Sequence, residues 1–506
     1  MNSSKQIKLG AMISYIAIFV NIAAMLIYTP WMKNQIGMAN YGLYNLAHSF
    51  ITMFLMDFGI GASVARFVAK YRAENNLEAV NKLMGIVTKI YIAIDCVIAS
   101  LFAVLYFFIE RIYDGLTADE IVQFKELYLV IALFSIISFP FTTLSGVFNA
   151  YEKFVHLKLC DLGQKLLSIA LIVAALLMEM GVTAMVLANT VASVFFIFVK
   201  LYLIKKNTPV RPKLKAKDKQ MLKEIFGFSV WVMILGVAQR LTYNIAPSIL
   251  GVVSNSTEIA LYSPSSATAG YFYTFATAIN GLFLPTISRK IAQKKEDDIL
   301  PLMVLVGRFQ VVVLGLLWAG FISVGRDFMV LWMGEEFLPA YYCTIILAFP
   351  TIFEYSQQIA NTTILAKNKV RYQAIGLLGT AALNVIISSL LSSKFGAVGV
   401  SLGICITAFL NLIYINIVYY KVLKINVFEF YKKCYVSIIP PIAITVAASF
   451  AVSKLIPQVS RVAVAAKGVV AVGVFFLCVW VFHIKKSEKK EVLEMGKSLI
   501  RKVVKR

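Results

Sequence analysis

Charge is scarce along this chain, and what there is leans one way. Only 15% of the 506 residues are charged, with 49 Lys and Arg against 26 Asp and Glu, while 59% are hydrophobic. That composition excludes the several soluble domains that length alone would suggest. No G-x-x-x-x-G-K-[ST] loop is present, which excludes ATP hydrolysis through a P-loop. There is no H-E-x-x-H, and the three histidines (His48, His156, His483) stand far apart, so no metal site and no cofactor is expected. The six cysteines are scattered, mostly inside apolar runs and without a C-x-x-C, so they read as small core residues with no disulfide framework. A net charge of +23 could suggest nucleic acid, but in so apolar a chain it reflects basic loops, and no nucleic acid partner is expected.

What the chain has in abundance is apolar runs of membrane-spanning length. About fourteen can be delimited, at 9–32, 41–67, 83–108, 121–148, 157–179, 181–204, 225–250, 258–287, 300–325, 340–366, 372–393, 396–420, 433–456 and 462–484. Lys5 and Lys8 precede a first run with no small-residue cleavage site, which reads as a retained helix. Alternate connections are basic: 66–82 holds Arg66, Lys70, Arg72 and Lys82, and 200–223 holds nine Lys and Arg. Counted this way, about three quarters of the basic residues fall on one side, which marks it as cytoplasmic and places both termini there. The other connections run to about a dozen residues, too short to hold an extramembrane catalytic domain. An enzyme is therefore not expected.

The spans also repeat. Ala65-Arg66 after the second answers Ser288-Arg289 after the eighth; Phe139-Pro140 in the fourth answers Phe349-Pro350 in the tenth. The sixth and twelfth open on Gly181 and Gly396. The expected architecture is an all-α integral membrane protein. It has two parallel six-helix lobes, 1–204 and 225–424, around a central cavity, joined by a basic linker at 205–224. Two additional helices follow at 425–484, then a basic amphipathic tail at 485–506 suited to an anionic membrane surface.

Polar residues inside the spans form stripes. Arg240 lies roughly 20 Å into the seventh, too deep for easy snorkelling. Gln239, Tyr243 and Asn244 surround it. Ser266, Tyr273 and Asn280 share one face of the eighth; His48 and Asp57 lie in the second and Asn21 in the first. Facing lipid, such stripes are costly; facing one another, they line a hydrated cavity. Asp57 is the expected resting counter-charge of Arg240. Arg308 and Lys89 enter only a short way from a basic end and can snorkel. Asp161 and Lys165 have the spacing of an i, i+4 pair. Asp95 and Glu354, deep in the third and tenth spans, either pair with a cation or bind a coupling H+ or Na+.

The run Asp57-Phe-Gly-Ile-Gly-Ala-Ser-Val-Ala-Arg66, preceded by Tyr41-Gly42-Leu43-Tyr44, resembles the Wzx-type polysaccharide flippases, as does Phe395-Gly-Ala-Val-Gly-Val-Ser-Leu-Gly403. These belong to the multidrug/oligosaccharidyl-lipid/polysaccharide exporter superfamily. The resemblance implies a multi-pass protein of a bacterial inner or plasma membrane, working by alternating access. Its cargo would be an oligosaccharide on a polyisoprenyl diphosphate carrier, its surroundings membrane lipids, and its neighbour a polysaccharide polymerase. The family's cavity is lined by spans 1, 2, 7 and 8, where the stripes occur. Spans 1 and 2 hold few arginines, which disfavours lipid II as cargo. A cation-coupled multidrug exporter remains the alternative, with a membrane glycosyltransferase or ligase behind it.

Overall fold

A computed structural model describes residues 3–54, 59–277 and 283–484. Every regular element among these residues is a helix. The chain is an all-α membrane protein. Among the described residues, nine helices are long and apolar enough to cross a membrane, or up to eleven if each of two bent pairs is one span.

The difference from about fourteen has physical sources. Val370–Leu423 is counted once, but its 54 residues break at Gly396 (φ 52°, ψ −130°), a conformation open to glycine and strained for other residues. A straight helix of that length would run about 80 Å, far more than a bilayer. The expected second span appears as Met38–Phe54 and Ile60–Ala73, each too short alone, and Gly59 opens the latter in the left-handed region. In Ser256–Thr277 the polar stripe itself lowers the hydropathy. The expected tail at 485–506 lies outside the described residues.

Two compact units are present: Met1–Ser263 with Gln373–Gly403, and Pro264–Tyr372 with Ile404–Arg506. In the first, helices Phe154–Leu177 and Gly181–Asn207 pack together, cross-linked by Gln164 to Ser193 (2.9 Å) and Ser168 to Asn189 (2.7 Å). Here the structure corrects an expectation. Asp161 bonds Lys200 on the facing helix at 2.9 Å rather than Lys165 one turn along its own. The facing helix offers a cation in direct line, which a local spacing rule cannot see.

The basic linker is tied down. Asn81 accepts from the backbone N–H of Arg211 (2.7 Å) and Lys213 (2.9 Å), and Lys89 reaches the Ala216 carbonyl at 2.7 Å. Lys89 therefore holds the linker instead of snorkelling. Elsewhere in this unit Thr117 and Glu120 form a capping box, and Ser256 donates to the same Glu120 carboxylate. Glu258 accepts from the backbone N–H of Ala397 at 2.7 Å, restarting the helix after the Gly396 break.

In the second unit, Ile299–Met333 packs against Leu338–Ser356, Ile439–Leu455 and Arg461–Cys478. Lys467 meets Asp327 at 2.5 Å, their side chains only 5% and 14% exposed, so the final helix is held by a nearly dry ion pair. None of the six cysteines, all among the described residues, is in a disulfide.

Candidate functional site: two cations in the first unit

Arg240 occupies the last turn of Lys219–Tyr243, not the middle of an unbroken span. The helix stops at Tyr243, and a second one, Ala246–Val253, opens with Pro247 in its first turn. Proline has no N–H to donate and its ring crowds the preceding turn, so it fits a helix start and not an interior. The longer helix also bends by 43° between Lys219–Gly227 and Val230–Tyr243. Arg240 thus stands at a helix C-terminus within an apolar stretch, where unpaired carbonyls carry partial negative charge and favour a cation. Its guanidinium donates to the Asn244 carboxamide oxygen at 3.4 Å, and the Asn244 N–H caps the Arg240 carbonyl at 2.9 Å.

The break is supported from the side by a residue that the sequence reading missed. Asn384, fully buried on Val370–Leu423, donates to the carbonyls of Leu241 (3.3 Å) and Thr242 (3.2 Å). These groups would otherwise be orphaned in an apolar setting, at a cost of about 1–3 kcal/mol each. Ser388 in turn donates to Asn384 at 2.9 Å. The signal was available: an asparagine in an apolar span, with serines at i+4 and i+8 on the same face.

A second cation comes from Lys165. With Asp161 taken by Lys200, Lys165 makes no ion pair or hydrogen bond among the described residues. It lies about 16 Å along its helix from Phe154. The ammonium is near enough to His48 to act on its ring electrostatically. Both side chains are exposed. His48 also sits beside Tyr44, ring centroids 6.4 Å apart.

Other expected residues are placed as follows. Asn21, Gln239 and Tyr243 are exposed in the first unit, Tyr243 to 41%. Asp57 and Asn280 lie outside the described residues, and with Asp57 goes the expected counter-charge of Arg240. In the second unit Ser266 is half-buried, and Tyr273 meets Tyr355 edge-on at 5.4 Å. Arg308 donates to the His483 carbonyl at the end of the last helix, an anchoring contact rather than a free surface cation. The Oδ1 of Asp95 is buried without a hydrogen-bond partner. The structure therefore joins Arg240 with Asn244, and His48 with Lys165. A cation can hold an anion, and the planar guanidinium of Arg240 matches phosphate bidentately.

The fold and the sequence point to the same group of proteins. No curated protein matches the chain in sequence. Among solved structures, the lipid II flippase MurJ in an inward closed conformation is similar, with a TM-score of 0.71 at 13% identity, covering 94% of this chain and 98% of that one. An inward-facing multidrug resistance MATE transporter of the MOP superfamily gives 0.63 at 11% identity, covering 79% and 99%. The Vibrio cholerae MATE transporter VcmN in its bent form gives 0.53 at 13% identity, covering 85% and 99%. These likenesses establish that the chain shares the fold of MurJ and the MATE transporters. The family model for "Polysaccharide biosynthesis protein" matches residues 8–290, more than half of the sequence, and the chain belongs to that family.

Proposed function

We propose that this protein is a flippase. It moves an oligosaccharide repeat unit on a polyisoprenyl diphosphate carrier from the cytoplasmic to the outer leaflet, for surface polysaccharide synthesis. The observation that carries the reading is Arg240 at the C-terminus of a helix that ends within an apolar stretch. Arg240 is at a supported helix break, and Lys165, whose sequence neighbour Asp161 pairs with Lys200, is a second cation in the same unit. A lysine or arginine at mid-bilayer costs about 2.5–3.5 kcal/mol on insertion scales. A diphosphate in transit offsets that cost, and a neutral or cationic cargo does not. Membership of a polysaccharide biosynthesis family supports a glycan cargo.

The rest of the reading follows from this proposal. The two six-helix lobes at 1–204 and 225–424 alternate in exposing the cavity, with Asn21, Gln239, Tyr243, Ser266, Tyr273 and Asn280 contacting sugar. The protein resides in a bacterial plasma membrane with both termini cytoplasmic, and delivers its product to a polymerase. Multidrug export is the second reading. It is favoured by Glu354, an acid within a span that forms no ion pair among the described residues.

The test is a complementation assay in a strain whose own flippase is deleted, with membrane levels matched. Arg240→Ala and Lys165→Ala should each abolish surface polysaccharide, and Lys165→Arg should restore most of it. Normal export by both alanine variants would remove the phosphate-anchor assignment.

A further inference from the structure

The final helix, Arg461–Cys478 with the turn Val479–His483, has little in its sequence to fix how it sits. Lys467 is the one charged residue in 462–482. The buried side is a row at every fourth position: Ala463, Lys467, Ala471, Phe475 and Val479. The helix it packs against, Ile299–Met333, answers at the same spacing with buried Gly315, Ala319 and Ser323, then Asp327, its one acid. The rows meet where Lys467 pairs with Asp327 and where Phe475 lies beside Gly315. Such rows pack ridge into groove, and small residues let the backbones approach closely.

A seam of this kind does not choose its own register. Sliding one helix by a turn, about 5.4 Å, sets each row against the next member of the other, small against small. Lipid tails are as apolar as the side chains, so no hydrophobic force favours one apolar pairing over another. Shape discriminates little: a methyl at Gly315 would stand 3.6 Å from the Phe475 ring, an ordinary contact. At the far end Arg308 takes the His483 carbonyl, an acceptor that every residue offers. Ser437 meets His483 Nδ1 at 2.9 Å, which ties the chain end to the start of Ile439–Leu455 and not to the row on Ile299–Met333. The ion pair is different. A one-turn slip sets Lys467 opposite Ser323 or Leu331, and Asp327 opposite Ala463 or Ala471, leaving two charges unpaired away from water.

We propose that Lys467 and Asp327 are the register key of this seam. The pair fixes the depth at which the final helix seats against Ile299–Met333, and with it the meeting of Arg308 and His483 at the other end. A buried ion pair adds little stability over apolar residues of the same volume, and its best-attested use is to select one arrangement among near-equals. One turn from Asp327, Ser323 hydrogen-bonds Ser449 on Ile439–Leu455, so the same row also holds the neighbouring helix. The key lies wholly in the second unit and does not depend on which cargo the first unit binds.

The test is disulfide mapping on the purified full-length protein with its native cysteines replaced, the linked peptides being quantified by mass spectrometry. One turn inward from the pair, position 471 should face position 323. Ser323→Cys should therefore cross-link to Ala471→Cys and not to Phe475→Cys, a turn out of register. Adding Lys467→Ala should remove most of the in-register product, and Lys467→Asp with Asp327→Lys should restore it. Unchanged in-register cross-linking in Lys467→Ala, or no recovery in the reversed pair, would overturn the proposal. Should Lys467→Ala not fold, Lys467→Met with Asp327→Leu removes the key and leaves no buried charge. That variant should keep its unfolding temperature and lose the in-register preference; a lowered unfolding temperature with the preference intact would reduce the pair to a stabilising contact and refute the register role.

Discussion

The two units solve the same problem with opposite charge. In the first, a helix break carries a cation, Arg240, and a second cation, Lys165, stands on another helix. In the second, a break at Ser356 and Gln357 follows a carboxylate, Glu354. Each break frees backbone groups that an apolar medium cannot solvate; Asn384 from another helix donates to the carbonyls at the first, and the Tyr435 hydroxyl donates to the Ile352 carbonyl at the second. What differs is the residual charge: positive in one, negative in the other. A broken span is thus a generic scaffold, and its side chains set the charge it presents.

This contrast can be broken most sharply at the cations. Arg240→Ala and Lys165→Ala should each reduce polysaccharide export by a hundredfold or more, which corresponds to about 2.8 kcal/mol of lost interaction. Glu354→Gln should leave cargo binding intact, which separates the two units. If Glu354→Gln lowered binding of a diphosphate lipid as strongly as Arg240→Ala, the division of roles would fail.

The supports of the breaks come next. Asn384→Leu leaves the carbonyls of Leu241 and Thr242 without their donor and should destabilise the first unit by about 1–3 kcal/mol. Export should fall with it even at matched expression, because Arg240 then lacks a fixed platform; differential scanning fluorimetry beside the export assay checks both. Gly396→Ala places a side chain at φ 52° against the Glu258 carboxylate, and should cost about 1–3 kcal/mol in the same measurement.

The smallest effect concerns the linker. Lys213, with Lys82, holds the Glu78 carboxyl below its usual range. A depressed carboxylate contributes its stability above the ordinary value of 4.5 and loses it as pH falls below, through the lowered value. Protease cleavage in 208–218 should therefore rise modestly on acidification below that point, and Glu78→Gln should remove the pH dependence without releasing the linker, which Asn81 still holds.

How much of this was legible beforehand divides along local and non-local lines. The all-helical membrane character and the break at Gly396 could be read because hydropathy and glycine act within a few residues. The stop at Tyr243 was signalled by Pro247 but absorbed into a longer apolar run. Lys165 was paired wrongly because i, i+4 spacing is only a local rule, and Lys200 competes for Asp161 from a different helix. Asn384 is a single polar residue whose role exists only once another helix meets it. Arg308 looked like a snorkelling or cavity cation until the last helix supplied the His483 carbonyl.

The central claim is that the first unit's cations hold a diphosphate. The most direct measurement is the binding of a polyisoprenyl diphosphate to the purified protein, compared with the same lipid as a monophosphate and as an uncharged alcohol. The account predicts that the diphosphate binds at least tenfold more tightly than the alcohol, and that Arg240→Ala or Lys165→Ala removes this preference. Equal affinity for the charged and uncharged lipids, or a preference that survives in both variants, would contradict it.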